Sequence, residues 1–220
     1  ILSRWPIASW EVHRLPDVTG APSYRRAVVA QLETPFGRWW TVCTHLDHKF
    51  DASATRIAQC EALSGIVDQL RNDPEVDVPV LMAGDFNSVP DSDEIRMLTG
   101  RSAPAVQGLV FTDLWEVAGE GPGFTWRRDN PYIDDSTWPN RRLDYLFVSW
   151  PRPRPIGNPS RIWLAGIDAV GGIRTVAASA CDANGFRHVA LVGHHGHQPG
   201  RFADHCIVGF DLGRGGDGAR

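Results

Sequence analysis

The segment VPVLMAGDFNSVPDSDEIRMLTG, residues 78–100, changes abruptly from apolar to polar side chains. Its apolar run, 78–83, predicts a buried strand, and Gly84-Asp85-Phe86-Asn87 follows that strand directly. A carboxylate in such a place must be hydrogen-bonded or bound to a cation, because an isolated buried charge is costly. An ordinary turn is the alternative, since Asp and Asn both favour turns. The segment therefore predicts either a functional site or a turn at Asp85 and Asn87.

Three other apolar strands have polar groups at their ends. His45 follows the strand in TVCTHLDH, Asp144 begins the strand in RRLDYLFVS, and Asp204-His205 precedes the strand in FADHCIVGFDL. Brought together, the carboxylates would supply the hard oxygen ligands that Mg²⁺ or Mn²⁺ prefers. They would also form a His–Asp pair, in which the carboxylate orients the imidazole.

Strands dominate the rest of the chain, with few helices. Turn signals and alternating apolar runs predict strands at 7–14, 25–33, 37–44, 78–84, 143–149, 162–168, 173–179, 187–194 and 206–212. Apolar spacing predicts one helix over 53–72, and a capping box with Glu94 as its acidic member predicts a second over 91–99. The expected fold class is α/β, with two sheets. The segment 150–161 is a proline-rich loop, and the stretch after it, to about 194, is typical of a β meander.

Composition sets only broad limits. Hydrophobic content of 42% and charged content of 22% over 220 residues are typical of one globular domain. The net charge of −4 does not indicate a basic surface for binding nucleic acid, although metal ions can supply positive charge locally. The cysteines show no CxxC spacing, which favours free thiols. No run is long enough to span a membrane. A monomer is expected, and both a cytoplasmic and a secreted location stay open.

Four motifs occur in an order that resembles the endonuclease/exonuclease/phosphatase superfamily. They are THLD at 44–47, GDFN at 84–87, RRLDYLFVS at 141–149 and ADH at 203–205, and LSR near the start resembles a further strand of that superfamily. The resemblance implies a four-layered α/β sandwich, in which helices flank two packed mixed β-sheets. It also implies a metal-dependent phosphoesterase.

The same resemblance implies a role for each motif residue. His205 resembles the histidine that activates or orients the attacking water, and Asp144 the carboxylate that orients this histidine. Asp85 resembles the aspartate beside the water and metal, and Asn87 the donor to a phosphate oxygen. His45 resembles the histidine that contacts the scissile phosphate. The protonation roles of Asp85 and His205 stay open.

The metal shell is where the chain departs from the superfamily. Asp204 and Asp85 resemble metal-side ligands for Mg²⁺ or Mn²⁺, but the Asn and Glu that precede the LSR strand in the family have no match. Either the first strands are missing from a longer protein, which is favoured, or the chain is a shortened inactive relative. The expected domain covers 1–212, with an insertion-like β region at 151–195 that would influence substrate choice, and a disordered tail at 213–220.

Residues near the motifs have two interpretations each. Trp126 could stack on a base or sugar or pack at the rim, and Arg142 could bind substrate or lie buried beside LDY. Arg127, Arg128 and Arg141 could steer phosphate or form a solvated face.

Support of the THLD loop is the expected role of two helix residues, Arg56 and Gln59. Asp113 is expected to be structural. Asp47 and His48 are as well explained by a surface loop as by substrate contact.

The favoured function is phosphodiester hydrolysis by a nuclease. An inositol or lipid phosphate phosphatase, or a sphingomyelinase-type phosphodiesterase, is the alternative within the same enzyme class. A module that binds phosphate ligands without cutting them is the alternative outside it. The residues RIWLAGIDAVGGI, 161–173, could form an exposed hairpin for membranes or a pair of buried strands.

Overall fold

Six strands form the main sheet of the computed structural model. The structure describes residues 1–3, 5–35, 37–71, 79–128 and 137–149, together with the strand backbones at 159–165, 188–191 and 207–212. The strands of the main sheet are β1 (Ile7–Arg14), β2 (Arg26–Thr34), β3 (Gly37–His45), β4 (Leu81–Asp85), β5 (Phe111–Asp113) and β6 (Asp144–Ser149).

The main sheet is mixed, with the order β1-β2-β3-β4-β6-β5. Only β3 and β4 pair in parallel, and all the other neighbours in this sheet are antiparallel. A parallel pair needs a long crossover, and helix α1 (Ser53–Leu70) lies within it. This connection brings the ends of β3 and β4 to the same edge of the sheet.

Two shorter helices follow β4 and β5. They are α2 (Asp93–Leu98) and α3 (Leu114–Ala118), and α1 packs against α2. Apolar residues from the sheet and these helices form two buried clusters, the larger of which includes Phe86, Tyr145 and Phe147. Phe86 meets Phe147 edge to face at a centroid separation of 5.1 Å, a favourable aromatic arrangement. The core therefore fixes the chain immediately after Asp85.

A second, three-stranded sheet is described at the backbone level. Its strands are β7 (Pro159–Ala165), β8 (His188–Leu191) and β9 (Ile207–Leu212), in the antiparallel order β7-β9-β8. The predicted meander to about 194 includes 173–179, which lies outside the described residues, so the meander stays a prediction. Helix α3 lies next to β7.

The predicted elements agree well with the observed ones, apart from their ends. Eight of the nine predicted strands overlap an observed strand, while the ninth, 173–179, lies outside the described residues, as does the tail 213–220. Neither β5 nor α3 was predicted from the sequence. Within the described part of the chain, no helix combines the length and apolar character needed to cross a membrane.

Candidate active site

Three neighbouring strands bring His45, Asp85 and Asp144 into one row. In the parallel pairing of β3 with β4, His45 lies opposite Asp85, and in the antiparallel pairing of β4 with β6, Asp85 lies opposite Asp144. The Nε2 atom of His45 is 3.5 Å from Oδ2 of Asp85, within ion-pair range for a protonated imidazole. Three of the predicted site residues therefore meet at one edge of the sheet.

The turn after β4 fixes the orientation of Asp85 and Asn87. The backbone N–H of Asn87 donates to Oδ1 of Asp85 at 2.8 Å, and Nδ2 of Asn87 donates to the carbonyl of Leu46 at 3.1 Å. Asn87 has a φ of 50°, a conformation that asparagine tolerates better than most residues. The turn interpretation and the site interpretation of this segment are thus compatible.

Gly84 allows β3 and β4 to approach each other at the site. Its φ is 144°, and a Cβ at this position would overlap the carbonyl oxygen of Thr44. Only glycine fits such a conformation and such a contact. The close approach brings the side chains of the next residues on the two strands, His45 and Asp85, within reach of each other.

Hydrogen bonds from outside the strand hold the start of β6. The hydroxyl oxygen of Thr125 accepts from the backbone N–H groups of Leu143 at 3.0 Å and of Asp144 at 3.2 Å. The buried hydroxyl of Tyr145 donates to the carbonyl of Ser88 at 2.8 Å. Asp144 therefore has a fixed backbone position relative to the turn that carries Asn87.

Helix α1 supports the loop that follows His45, as the sequence predicted. Oε1 of Gln59 accepts from the N–H of Asp47 at 3.0 Å, and Nη1 of Arg56 donates to the carbonyl of Lys49 at 2.6 Å. Both Arg56 and Gln59 are buried. Their hydrogen bonds position the loop.

Glu94 joins three parts of the chain behind the site. Its fully buried carboxylate accepts from Nε of Arg56 at 2.6 Å, from the Ser88 hydroxyl at 2.6 Å and from the Ser53 hydroxyl at 3.0 Å. Burial alone would raise the pKa of Glu94, but the hydrogen bonds from Ser88 and Arg56 outweigh it and hold the pKa below its ordinary value.

The predicted capping box is therefore wrong. Glu94 does not accept from the backbone N–H of the N-cap residue Ser92, which donates to the carbonyl of Val89, and its charge is paired with Arg56 across the interface of α1 and α2. The N-cap residue of α2 is Ser92, whose side chain makes no capping bond to the helix and donates instead to the carbonyl of Val89 at 2.6 Å.

Two arginines lie within the electrostatic influence of Asp85. Partial burial lowers the pKa of Arg25 and of Arg141, while the charge of Asp85 opposes that lowering at both. Nη2 of Arg25 is also 3.0 Å from Nδ1 of His48. Their guanidinium groups place positive charge near a carboxylate-lined strand edge, in a chain whose net charge is −4.

The geometry argues against Arg142 as a substrate contact. Its side chain is 5% exposed, Nη1 lies 2.7 Å from Oδ2 of Asp113, and the guanidinium lies over the ring of Tyr145. Burial raises the pKa of Asp113, which the charge of Arg142 only partly offsets. The contacts therefore favour the buried role for Arg142, and Asp113 makes the buried ion pair that a structural role requires.

Trp126 packs against Arg141, which is close in sequence to the start of β6. Its backbone bridges to that of Arg141, and its half-buried ring has the Arg141 guanidinium carbon 5.0 Å from its centroid. Two further aromatic residues, Phe50 and Trp138, surround the same guanidinium, and the sequence reasoning missed both. Their closeness to the THLD and LDY motifs along the chain was the available signal.

Asp204 and His205 lie outside the described residues, so their predicted roles stay predictions. Within the described ranges, no group of three or more His, Cys, Asp or Glu side chains is arranged to hold a metal ion. The described residues therefore do not form a complete metal site by themselves. Cys43 and Cys60, the two cysteines in these ranges, are free thiols, as expected.

Comparison with known proteins identifies the family to which the chain belongs. The model of the endonuclease/exonuclease/phosphatase family matches residues 1–161, which include His45, Asp85, Asn87 and Asp144. The chain belongs to this family. Members of the family are hydrolases that act on phosphoester bonds, generally with divalent metal ions. No curated protein sequence matches the chain significantly.

Solved structures of the family share the fold. Zebrafish (D. rerio) TDP2 in complex with a single-stranded DNA product is 18% identical, with a TM-score of 0.56 over 94% of this chain and 68% of that one. The human Nocturnin catalytic domain with bound sulfate is 16% identical, with a TM-score of 0.54 over 96% and 60%. A Bacteroides thetaiotaomicron mannosyl-6-phosphatase is 15% identical, with a TM-score of 0.57 over 94% and 67%. These similarities confirm the α/β sandwich fold predicted from the sequence.

Proposed function

We propose that the chain hydrolyses phosphodiester bonds as a metal-dependent nuclease. The observation that carries the proposal is the row of His45, Asp85 and Asp144 on adjacent strands, with 3.5 Å between the His45 imidazole and the Asp85 carboxylate. The chain's membership of a phosphoesterase family gives that row its chemical interpretation.

In this proposal, His205, oriented by Asp144, activates the attacking water, and Asp85 lies beside that water. One carboxylate oxygen is already held by the Asn87 N–H, which leaves the other facing His45. A carboxylate beside Nε2 favours a proton on that atom, so His45 serves as a donor toward charge that develops on the phosphate. The side-chain amide nitrogen of Asn87 donates one hydrogen bond to the carbonyl of Leu46. An amide nitrogen carries two hydrogens, so the second can donate to a phosphate oxygen.

Arg25 and Arg141 contribute positive charge at this edge of the sheet. Preorganised cations lower the cost of bringing a phosphate anion toward the carboxylates of Asp85 and Asp144. The proposal keeps Asp144 as the residue that orients His205. It also keeps Mg²⁺ or Mn²⁺ as the cofactor, with Asp85 and Asp204 among its ligands.

The test uses two substrates, supercoiled plasmid and bis(4-nitrophenyl) phosphate, with Mg²⁺ or with chelator. The proposal expects metal-dependent cleavage of both, and a loss of at least about 100-fold in kcat/KM for His45→Ala and for His205→Ala. Asp91→Asn is the control, because Asp91 is exposed and close in sequence to the GDFN turn.

Each alternative has its own outcome in this test. Cleavage of the synthetic diester but not of plasmid would replace the nuclease with another phosphodiesterase. Activity confined to phosphomonoesters, such as inositol or sugar phosphates, would identify a phosphatase. Binding of phosphate ligands without any cleavage would identify a binding module and overturn the enzyme proposal.

A further inference from the structure

Three aromatic rings surround the Arg141 guanidinium beside the row, and these rings have no part in the mechanism proposed above. We name this cluster the arginine–aromatic platform, formed by Phe50, Trp126, Trp138 and Arg141. The guanidinium carbon of Arg141 lies 5.1 Å from the ring centroid of Phe50, 5.0 Å from that of Trp126 and 5.2 Å from that of Trp138. All three separations are within cation–π range.

Two of these rings form a flat, exposed stack. Phe50 and Trp138 have centroids 4.4 Å apart and planes that differ by 14°. Phe50 is nevertheless 59% exposed and Trp138 46% exposed. Large aromatic side chains that remain so exposed beside a candidate active site are typical of a binding surface. A parallel stack can be extended by another planar ring.

The platform has a defined position relative to the site. Phe50 is five residues beyond His45, on the loop whose Lys49 carbonyl is bound by Arg56. Arg141 is three residues before Asp144, and its backbone pairs with that of Trp126. The platform and the row are therefore built on the same strand ends, and Asp85 acts electrostatically on Arg141.

We propose that the arginine–aromatic platform binds the base of a nucleotide whose phosphate occupies the His45–Asp85 row. The inference rests on the proposed phosphoesterase function and specifies the substrate class of that same site. Every base has a π face, so stacking on aromatic rings and on an arginine plane gives affinity with little dependence on sequence.

The chemistry of the platform favours a base over the other groups that phosphoesters carry. A sugar ring can also stack on an aromatic face, but its hydroxyl groups donate hydrogen bonds as well as accept them, and the side chains of Phe, Trp and Arg offer no acceptor. An acyl chain needs an uncharged surface, whereas Arg141 lies in the middle of the cluster. A planar base can stack on the exposed rings and on the guanidinium.

Calorimetric titration of the full chain with three phosphomonoesters in Mg²⁺ tests this inference. AMP and ribose 5-phosphate differ by the base, and mannose 6-phosphate supplies a different sugar. We expect AMP to bind about tenfold or more tightly than ribose 5-phosphate, because stacking of one base is worth about 1–3 kcal/mol. Mannose 6-phosphate should bind no better than ribose 5-phosphate.

Phe50→Ala and Trp138→Ala should each remove most of the difference between AMP and ribose 5-phosphate while leaving ribose 5-phosphate binding unchanged. Trp10→Ala is the matched control, since Trp10 is 70% exposed on β1 and should affect none of the ligands. Equal binding of AMP and ribose 5-phosphate, or equal weakening of both by Trp138→Ala, would overturn the inference. Tighter binding of mannose 6-phosphate that Trp138→Ala abolishes would assign the platform to a sugar and overturn it as well.

The two proposals fail in distinguishable ways. If bis(4-nitrophenyl) phosphate is cleaved in an Asp85-dependent manner and AMP binds no better than ribose 5-phosphate, only the platform inference is wrong. If no diester is cleaved and none of the three phosphates binds, the proposed function falls, and the inference that rests on it falls too.

Discussion

Gly84 shows how a single residue without a side chain shapes the candidate site. The backbone of β4 passes so close to Thr44 that no Cβ can be accommodated, and the φ of Gly84 is one that other residues rarely adopt. Glycine is therefore required for the distance between His45 and Asp85, although it contributes no chemistry.

Gly84→Ala should lower the free energy of unfolding by about 3 kcal/mol or more, because backbone strain and steric overlap act together. Urea denaturation followed by circular dichroism measures the change. Gly65→Ala, in α1, is the matched control: a Cβ there meets nothing within 4 Å, and alanine should raise the stability by about 0.5–1 kcal/mol. Equal effects of the two substitutions would refute the close-approach argument.

Glu94 is the second residue whose role depends on distant partners. Glu94→Gln leaves Arg56 buried without its counter-charge and should lower the stability by about 3 kcal/mol near pH 7. Asp68→Asn, which breaks the more exposed pair of Asp68 with Arg71, should cost about 0.5 kcal/mol. If Glu94→Gln lowered the stability no more than Asp68→Asn does, the proposed role of Glu94 in joining α1 to α2 would be contradicted.

The lowered pKa of Glu94 makes the stability contributed by its ion pair with Arg56 depend on pH. Because folding lowers this pKa below its ordinary value, the charged carboxylate contributes stability above the pKa of the unfolded state. That contribution is lost as the pH falls through the lower pKa of the folded state. The stability difference between the wild type and Glu94→Gln should therefore be constant from pH 7 to about 5 and shrink at lower pH. A difference that grows below pH 4 would have the wrong sign.

At the scale of elements, helix α1 acts as a support for the loop after His45. Its apolar spacing predicted the helix, and the position of Arg56 and Gln59 one turn apart predicted their contact with the loop. Both interpretations hold because these interactions link the helix to a loop only 7 and 12 positions earlier in the chain. The partner of Glu94 lies 38 positions away, and local spacing could not reveal it.

Gln59→Met should remove the hydrogen bond to the Asp47 N–H while keeping the volume of the side chain. Hydrogen exchange of the Asp47 amide should become at least about tenfold faster, because its protection comes from Oε1 of Gln59. The amides in the middle of α1 should exchange at nearly the wild-type rate. Gln69→Met, at an exposed position of the same helix, is the control. An unchanged rate at Asp47 would show that the loop does not depend on α1.

The elements that the sequence missed are short and depend on their neighbours. Strand β5 has three residues at the edge of the sheet, and α3 has five, of which Leu114 is the buried one. Neither is long enough to show a helical or alternating period. Asp113 joins them: its side chain caps α3 and pairs with Arg142 of a distant segment.

At the scale of the whole molecule, the order of motifs along the chain predicted the family and the fold, which the family match and the solved structures confirm. It also predicted that His45, Asp85 and Asp144 lie at strand ends. It could not predict the cross-strand register that aligns His45, Asp85 and Asp144, because register arises from long-range pairing. The exposed stack of Phe50 and Trp138 has the same origin.

The central claim is that Asp85 and Asp144 act in one catalytic site. The most direct measurement is the rate of bis(4-nitrophenyl) phosphate hydrolysis by the wild type, Asp85→Asn, Asp144→Asn and the double variant, with Asp91→Asn as the control. We predict a loss of at least about 100-fold in kcat for each single variant and little further loss in the double variant, because residues that act as a unit are not additive. Wild-type rates in a folded single variant, losses that multiply in the double variant, or a wild type without activity would contradict the claim.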